Sequence, residues 1–389
     1  MKKKISVLTA TRAEYGLLKP IIEKLNKNEE LDVRIVATGA HLSPEFGLTF
    51  KEIEKDGFTI DEKIEILLSS DTPSSISKSM GLAMISFADY FSKLNPDLLI
   101  VLGDRYETLA VATTAMNQRI PIAHLYGGET TEGAIDESIR HAITKLSYLH
   151  FTSTEEYRNR VIQLGEHPSR VYTVGASGIE NVLNEELLSK SELEMDLGIS
   201  LSEPYAMVTF HPVTLENNSS EKQIQSLLEV CKEHSDLNFI FTKANADAEG
   251  RIINQFIDEY AKENSNIIAF TSLGMRRYLS ALKYCSLVIG NSSSGLVEAP
   301  SFGVPTVNIG DRQKGRLQAS SVINCEPEQD SLSQALDRAT SKDFKEKAKK
   351  TVNPYGEGDT SNKVVEVIKE YVVNNKIDLK KKFYDCEVE

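Results

Sequence analysis

Residues 97–105 read Asp97-Leu98-Leu99-Ile100-Val101-Leu102-Gly103-Asp104-Arg105. The apolar part of this stretch predicts a strand that is buried on both faces, and the spacing of apolar residues from Glu107 to Asn117 predicts a helix after it. Buried strands that alternate with helices are typical of a parallel sheet covered on both sides. Such a sheet binds ligands beyond the carboxyl ends of its strands, which is where Gly103, Asp104 and Arg105 would lie.

The same alternation of strand and helix runs through both halves of the chain. In the first half, further strands are predicted at Lys4–Leu8, Val33–Ala37, Ile120–Leu125 and Leu149–Thr152, with helices at Leu17–Leu25 and Glu137–Leu146. In the second half, strands are predicted at Tyr205–Phe210, Leu237–Phe241, Asn266–Ala269, Leu287–Ile289 and Thr306–Ile309, with helices at Gln223–Glu233, Arg251–Glu263 and Arg277–Lys283. A boundary is expected near Val174–Gly178, where glycines flank small residues. We therefore predict two Rossmann-like α/β domains, residues 1–175 and 176–361, and a helix and tail over residues 362–389 that could pack back on the first domain.

The length, composition and net charge of the chain restrict the class of protein to which it can belong. With 389 residues, 40% hydrophobic and 26% charged, it has the balance of a globular protein of two domains. The net charge of −13 argues against a nucleic-acid partner, and we expect no membrane span. The start Met1–Leu8 is interpreted as a first strand rather than a secretion signal. The four cysteines have neither metal-type nor redox-type spacing and fit a reducing cytoplasm, and Lys380–Lys382 is expected to be a solvated surface tail.

Charged residues follow two predicted strands of the first half. The polar turn Thr9–Gly16 opens a helix, which makes it a natural anion site with Arg12 as the cation, although an arginine that caps a loop fits equally well. Asp104 and Arg105 place opposite charges at a buried strand end, which is costly unless they are paired or used. The alternative is that Asp104 caps the next helix and Arg105 forms a surface pair, but an acid at this place favours a function.

Two more carboxylates are expected at the same edge of the sheet. Glu129 follows a strand and the pair Gly127-Gly128, which would allow the backbone to approach a ligand closely. Asp136 opens the next predicted helix, where an N-cap is the simplest explanation for it alone. Several carboxylates in one cleft are a usual means of arranging proton transfers, because their environments separate their pKa values.

The second half carries the strongest local pattern, Gly290-Asn291-Ser292-Ser293-Ser294-Gly295-Leu296-Val297-Glu298-Ala299-Pro300. A strand, a serine-rich turn and a helix suit a diphosphate, because hydroxyl and backbone N–H groups meet at a helix N-terminus. Glu298, about one turn into the helix, could accept hydrogen bonds from ribose hydroxyls. A serine-rich turn without a ligand is the second interpretation. His211 ends another strand, and a lone histidine there is more often structural than catalytic.

Together these motifs resemble the hydrolysing UDP-N-acetylglucosamine 2-epimerases of the sialic-acid and legionaminic-acid pathways. The resemblance covers nearly the whole chain and depends on the order of seven segments: Thr11–Tyr15, Gly39–Gly47, Gly103–Arg105, Gly127–Glu129, Asp136–His141, His211–Thr214 and Gly290–Pro300. It implies a GT-B-like fold, two Rossmann-like domains with an active-site cleft between them. It also implies conversion of UDP-N-acetylglucosamine and water to UDP and N-acetylmannosamine, by elimination to a glycal and hydration.

The resemblance assigns roles to individual residues. Asp104 and Asp136 match family acid and base carboxylates, and the UDP-binding residues would be Arg12, Arg105, His211, Asn245, Ser292, Ser293, Glu298 and Arg312. Tyr126 stands where sialic-acid-pathway members commonly carry a catalytic glutamate, so that role is open, and Glu129 would take part of it. A non-acidic residue at this position resembles the legionaminic-type branch, whose substrate is a UDP-linked 2,4-diacetamido-2,4,6-trideoxy sugar. No metal and no cofactor are expected.

Three other functions remain open at this stage. A non-hydrolysing 2-epimerase would keep UDP attached, a GT-B glycosyltransferase would use the same UDP loop, and a sugar-nucleotide sensor would lack turnover. The Gly-Asp-Arg and Gly-Gly-Glu segments favour the hydrolysing enzyme over the first, and the carboxylate cluster argues against the second. We expect a cytoplasmic homodimer whose partners are the UDP-amino sugar and UDP.

Overall fold

A computed structural model describes residues 2–70, 72–131, 134–213, 219–244, 250–356 and 358–386. The chain forms two compact units, of which the first contains Met1–Glu129, Ile135–Asn181 and Tyr355–Glu389 and the second contains Thr130–Ala134 and Val182–Pro354. The ranges 1–175, 176–361 and 362–389 stay a prediction of the domain bounds.

The first unit contains a seven-stranded parallel sheet with the order β3-β2-β1-β4-β5-β6-β7. Its strands are β1 Lys3–Thr9, β2 Leu31–Thr38, β3 Ile60–Ile64, β4 Leu98–Leu102, β5 Ile122–Leu125, β6 Leu149–Thr152 and β7 Val171–Thr173. The helices are α1 Arg12–Asn26, α2 Phe50–Lys55, α3 Pro73–Leu94, α4 Tyr106–Asn117, α5 Asp136–Leu146, α6 Glu155–Gln163 and α7 Ser177–Asn184, the last of which runs on into the second unit. The strand order reverses between β1 and β4, and the carboxyl ends of these neighbouring strands are where doubly wound sheets bind ligands.

Strand β4 shows why its sequence is a continuous apolar run. Leu98, Ile100 and Leu102 pack into one hydrophobic cluster, whereas Leu99 and Val101 pack into another. Because successive side chains of a strand point to opposite faces, both faces of the sheet must be covered by helices. The predicted burial on both sides is confirmed.

The second unit contains a six-stranded parallel sheet with the order β10-β9-β8-β11-β12-β13. Its strands are β8 Tyr205–Thr209, β9 Asn238–Thr242, β10 Ile267–Phe270, β11 Leu287–Gly290, β12 Thr306–Ile309 and β13 Val322–Cys325. The helices are α8 Lys190–Leu197, α9 Ser220–Glu233, α10 Gly250–Glu263, α11 Gly274–Tyr284, α12 Ser294–Val297, α13 Gln329–Thr340 and α14 Lys342–Lys349. The predicted class, two Rossmann-like α/β domains, is confirmed by these two sheets.

The last helix, α15 (Thr360–Val373), belongs to the first unit and packs on α1. Its buried residues Val364, Ile368 and Val372 join the hydrophobic cluster that contains Leu18 and Ile22 of α1. In the described part of the chain, we find no helix that combines the length and the apolar character needed to cross a bilayer.

The tail that follows α15 is not entirely solvated. The Lys381 ammonium donates to both carboxylate oxygens of buried Glu166 at 3.0 Å and to the carbonyl oxygens of Lys145 and Ser147 at 2.8 and 2.7 Å. Burial opposes ionisation of Glu166, but the hydrogen bond from His150 and the nearby cations outweigh it and lower its pKa to about 2. The prediction of a surface tail is therefore wrong for Lys381, because this cation lies against a buried carboxylate.

Candidate active site

The turn between β4 and α4 holds Asp104 and Arg105 at the carboxyl end of the sheet. The N-cap of α4 is Arg105, so Asp104 does not cap this helix. The Asp104 carboxylate, 23% exposed, forms an ion pair with the buried guanidinium of Arg140 on α5. The Arg105 Nε donates at 2.9 Å to Glu107, whose side chain is 1% exposed. Both charges thus have buried partners, and the alternative of a cap and a surface pair is wrong.

The segment after β5 has an unusual backbone. Tyr126 has a φ of +68°, a left-handed conformation that bulky residues rarely adopt. Gly128 has a φ of +79°, and a Cβ atom there would lie 2.3 Å from the carbonyl oxygen of Tyr157 on α6. Only glycine fits such a close backbone approach. The close approach that the structure shows at Gly128 is therefore to α6.

Glu129 and Asp136 reach the same edge by different routes. Glu129 is 1% exposed, and its carboxylate accepts a 2.8 Å hydrogen bond from the Ser153 hydroxyl after β6. Asp136 is the first residue of α5, whose N-cap is Ile135. The simple N-cap explanation for Asp136 is therefore wrong, and the carboxylate lies in the first helical turn, where the helix dipole favours negative charge.

Arg140 connects these predicted site segments. Its side chain is 1% exposed and contacts the Asp104 carboxylate through one terminal nitrogen. The other terminal nitrogen donates to the backbone carbonyl of Glu129 at 2.7 Å and to the Glu137 carboxylate at 2.8 Å. The second oxygen of Glu137 lies 3.0 Å from His141 Nε2. Neither Arg140 nor Glu137 was expected to have a role from the sequence, although their spacing of three residues on a helix indicates that they interact.

The turn between β1 and α1 is held by a capping box. The Thr11 side chain accepts from the Glu14 N–H, and the Glu14 carboxylate accepts from the N–H groups of Ala10 and Thr11 at 2.8 and 3.2 Å. Arg12 is therefore the first residue of the helix rather than its cap. Burial, and then the charge of Glu107, raise the pKa of Glu14 to about 8. Glu14 is thus a buried titratable group that has no distinguishing pattern in the sequence.

Two buried histidines support the loops of this edge. His124 Nε2 lies 2.8 Å from the carbonyl oxygen of Gly103, and burial lowers the pKa of His124 to about 3. His41 bridges the hydroxyl groups of Thr9 and Thr49 at 2.9 and 2.8 Å, and burial lowers its pKa to about 4. Both imidazoles are therefore neutral near pH 7 and act as fixed hydrogen-bonding groups.

In the second unit, the loop after β11 is fixed by Gly290 and Asn291. Gly290 has a φ of +134°, and a Cβ atom there would lie 2.0 Å from the carbonyl oxygen of Thr209 on β8. The Asn291 side chain accepts from the N–H of His211 and donates to its carbonyl oxygen, both at 2.7 Å. The Asn291 carbonyl oxygen accepts from Arg312 at 3.0 Å and from Gln313 at 2.8 Å. Asn291 thus brings together two predicted UDP-binding residues, His211 and Arg312.

The serine turn opens a helix of a single turn. Ser293 is the N-cap of α12, which ends after Val297 and is followed by a 3₁₀ turn at Ala299–Phe302. The hydroxyl of Ser294 accepts from Tyr278 at 2.7 Å, whereas Ser292 and Ser293 are half-buried. Glu298 is at the C-terminal end of this single turn. Asn245, the remaining predicted UDP-binding residue, lies outside the described residues.

The predicted site residues therefore form one group in each unit. Those of the first unit lie where β1, β4 and β5 end: Arg12, Asp104, Arg105, Glu129 and Asp136. Those of the second unit lie where β8, β11 and β12 end: His211, Ser292, Ser293, Glu298 and Arg312. Both groups occupy the edge at which α/β sheets bind nucleotide ligands. Two such parallel sheets with polar turns at their carboxyl ends define the chain as a protein of the GT-B-like class.

Comparison with known proteins identifies the family. A sequence profile described as UDP-N-acetylglucosamine 2-epimerase matches residues 23–369, so the chain belongs to this family of enzymes. It is 46% identical over 89% of its length to the Campylobacter jejuni GDP/UDP-N,N'-diacetylbacillosamine 2-epimerase (hydrolyzing), of which 89% is covered. It is 40% identical over 98% of its length to the Escherichia coli polysialic acid biosynthesis protein P7, of which 97% is covered. The predicted family is confirmed.

A solved structure supports the fold. The Neisseria meningitidis UDP-GlcNAc 2-epimerase bound to UDP-GlcNAc superposes with a TM-score of 0.79 at 20% sequence identity. The match covers 94% of this chain and 100% of that structure. At this identity the similarity supports the fold alone, and it agrees with the class that the two sheets define.

Proposed function

We propose that this enzyme is a hydrolysing 2-epimerase that converts a UDP-linked 2-acetamido sugar and water to UDP and the free sugar epimerised at C2. The observation that carries the proposal is the ion pair between Asp104 and Arg140, which links the turn after β4 to the segment from Glu129 to α5. Two acids, Asp104 and Asp136, follow neighbouring strands of one sheet, as transfer of protons at a sugar carbon requires.

The proposed reaction has two steps whose atoms balance. A carboxylate first removes the proton from C2, the bond from C1 to the diphosphate oxygen breaks, and UDP leaves with the bonding electrons, which gives a glycal. Water then adds its oxygen to C1 and gives one proton to a carboxylate, while an acid delivers a proton to the opposite face of C2. Asp104 and Asp136 exchange these protons, and a base and an acid of different ionisation state are what the two steps need.

The UDP is proposed to bind through Arg12 and Arg105 of the first unit and through His211, Ser292, Ser293, Glu298 and Arg312 of the second. Arginine is suited to the diphosphate, because charge-assisted hydrogen bonds to its oxygens stabilise the charge that develops on the leaving group. Ser292 and Ser293 are half-buried residues, and their hydroxyls and the carboxylate of Glu298 belong to one short segment, which suits a diphosphate and a ribose.

The first candidate sugar is the 2,4-diacetamido-2,4,6-trideoxy sugar. The 46% identical relative is named for N,N'-diacetylbacillosamine, a sugar of this type. Tyr126, in its left-handed conformation, stands where the resemblance to sialic-acid-pathway enzymes calls for a glutamate. UDP-N-acetylglucosamine, the substrate expected from the sequence motifs, is the second candidate, because the 40% identical relative is named for polysialic acid biosynthesis.

Proton NMR of the enzyme with each UDP-sugar tests the reaction and the substrate. We expect one of the two UDP-sugars to give free UDP and the epimerised free sugar in equal amounts. An epimerised sugar that is still attached to UDP would contradict hydrolysis, and unchanged substrate in both tubes would contradict the enzyme assignment for these sugars. Asp104→Asn and Asp136→Asn should each lower turnover by about 10²–10⁴-fold and leave UDP binding measurable by calorimetry.

A cytoplasmic homodimer is part of the same proposal. Cys231, Cys285, Cys325 and Cys386, all within the described residues, are thiols rather than disulfides. Thiols are the usual state of cysteine in a reducing compartment. Sedimentation of the purified enzyme would measure the oligomeric state, and a monomer at micromolar concentration would contradict the dimer.

A further inference from the structure

Arg140 is a buried cation shared by two carboxylates. Its guanidinium, 1% exposed, pairs with Asp104 across 36 residues of sequence and with Glu137 on its own helix at 2.8 Å. The side chain of Asp104 is 23% exposed and that of Glu137 is 26% exposed. Both carboxylates therefore pair with one positive charge that is more deeply buried than either of them. One cation cannot fully neutralise two anions, and each carboxylate therefore limits how much the other is stabilised.

The guanidinium is also fixed by a third contact, which is a hydrogen bond to the backbone rather than an ion pair. It donates to the backbone carbonyl of Glu129 at 2.7 Å, and this carbonyl follows β5. Glu137 is held from its other side by His141, whose Nε2 lies 3.0 Å from Glu137 Oε1. The side chains of His141, Glu137, Arg140 and Asp104 thus form a chain of polar contacts that begins on α5 and ends at a proposed catalytic carboxylate.

Other titratable groups lie on the elements next to the turn that holds Asp104. They come from the β1–α1 turn, α4, β5 and α5, and they are Glu14, Arg105, Glu107, His124, Asp136, Glu137, Arg140 and His141. Burial keeps His124 neutral, since its pKa is lowered to about 3, and it cannot give a titration between pH 5 and 9. Arg140 is a charged group in direct contact with the Asp104 carboxylate.

We propose that Arg140 is a positioning residue that keeps Asp104 ionised, so that Asp104 acts as the base of the reaction, and that Glu137 tunes this effect by sharing the Arg140 charge. An opposite charge in contact with a carboxylate favours its ionised form, whereas a competing carboxylate weakens that influence. The inference rests on the proposed function, because it concerns the ionisation of a residue in that reaction. With Asp104 as the base, Asp136 is the acid that carries the proton delivered to C2.

The test is the dependence of kcat/KM on pH, measured by UDP release in wild type and variants of the full-length enzyme. In Arg140→Met, which removes the charge, the acid limb should move to higher pH by about 1–3 units. Arg140→Lys restores a cation and should bring the limb back towards wild type. In Glu137→Gln, the Arg140 charge is no longer shared, and the limb should move to lower pH, the opposite direction.

The variants separate this role from a purely structural one. Loss of packing would lower kcat at every pH, but it would not move the acid limb in opposite directions in Arg140→Met and Glu137→Gln. Glu137 is partly exposed, so Glu137→Gln keeps the test valid if Arg140→Met does not fold. An unmoved limb in Glu137→Gln or in folded Arg140→Met, or an acid limb that disappears in His141→Gln, would overturn the proposal. Wild type without turnover of either UDP-sugar would instead overturn the proposed function.

Discussion

Glu14 is a buried carboxyl group at the start of α1 that should make stability depend on pH. Its pKa is raised to about 8 by burial and then by the charge of Glu107. A raised pKa in the folded state gives stability that is present below the unfolded value of about 4.3 and is lost as pH rises to 8. Glu14→Gln cannot ionise, so between pH 5 and pH 8 its free energy of unfolding should gain about 2–4 kcal/mol relative to wild type.

Urea unfolding at both pH values measures this difference. Glu23→Gln provides the control, because Glu23 lies on the same helix and is exposed. The control should follow wild type at both pH values. Parallel pH profiles for wild type and Glu14→Gln would show that Glu14 is ionised in the folded protein, contrary to our expectation.

Arg12 and Ser293 are the residues at which the proposed UDP contacts can be tested one at a time. Each should form a charge-assisted hydrogen bond, so Arg12→Ala and Ser293→Ala should each weaken UDP binding by about 1.5–3 kcal/mol. Isothermal titration calorimetry measures the affinity directly. Ser202→Ala, at an exposed serine of the second unit, should bind UDP as wild type does. Unchanged affinity in Arg12→Ala or Ser293→Ala would remove that residue from the proposed site.

Single residues of the candidate site could be selected from sequence when the clue was local. Asp104 and Arg105 follow an apolar run directly, and that order of residues is visible without any structure. The partners that fix them were not, because Arg140 lies 36 residues from Asp104, and Asn291 lies 80 residues from His211. Contacts at such separations depend on which strands are neighbours, and a single sequence does not contain that information directly.

At the scale of elements, apolar strands were predictable and polar edge strands were not. Strand β4 is apolar throughout because both its faces are covered. Strand β3 (Ile60–Ile64) lies at the sheet edge, and three of its five residues are exposed and charged, so it has no apolar run to find. Helix α12 follows the serine turn, as predicted, and it ends after one turn because the chain continues as a 3₁₀ turn that contains Pro300.

The tail segment after α15 is an element whose contribution can be measured. Lys381 satisfies Glu166 and two backbone carbonyls, so Lys381→Met would leave buried acceptors without this donor. We expect thermal or urea unfolding to show a loss of about 1–3 kcal/mol. Lys382→Met changes the neighbouring, exposed lysine and should leave stability within about 0.5 kcal/mol of wild type. Equal stabilities for the two variants would show that the Lys381 contacts contribute nothing.

The two compact units do not follow one another simply along the chain, because the first unit includes residues from both ends of the sequence. The first unit is completed by residues from Tyr355 onwards, whereas the second unit is nearly continuous over Val182–Pro354. The sequence predicted that the last helix could pack on the first domain. It did not predict which side chains of this helix enter the hydrophobic core. This packing becomes visible when Val364 and Ile368, both fully buried, are found in the cluster that contains β1 and α1.

A fragment of residues 1–181 should therefore fail to fold cooperatively, although it contains the whole seven-stranded sheet. It lacks Val364, Ile368 and Val372 of α15, and each lost side chain removes about 1.5–3 kcal/mol from a domain whose stability is typically about 5–15 kcal/mol. The same fragment joined by a flexible linker to residues 355–389 should regain a cooperative thermal transition in circular dichroism. Val364→Asp in the joined fragment is the matched control and should abolish the transition again. A sharp transition in the fragment 1–181 alone would mean that α15 covers a core that is already stable, and the first unit would then be independent of the end of the chain.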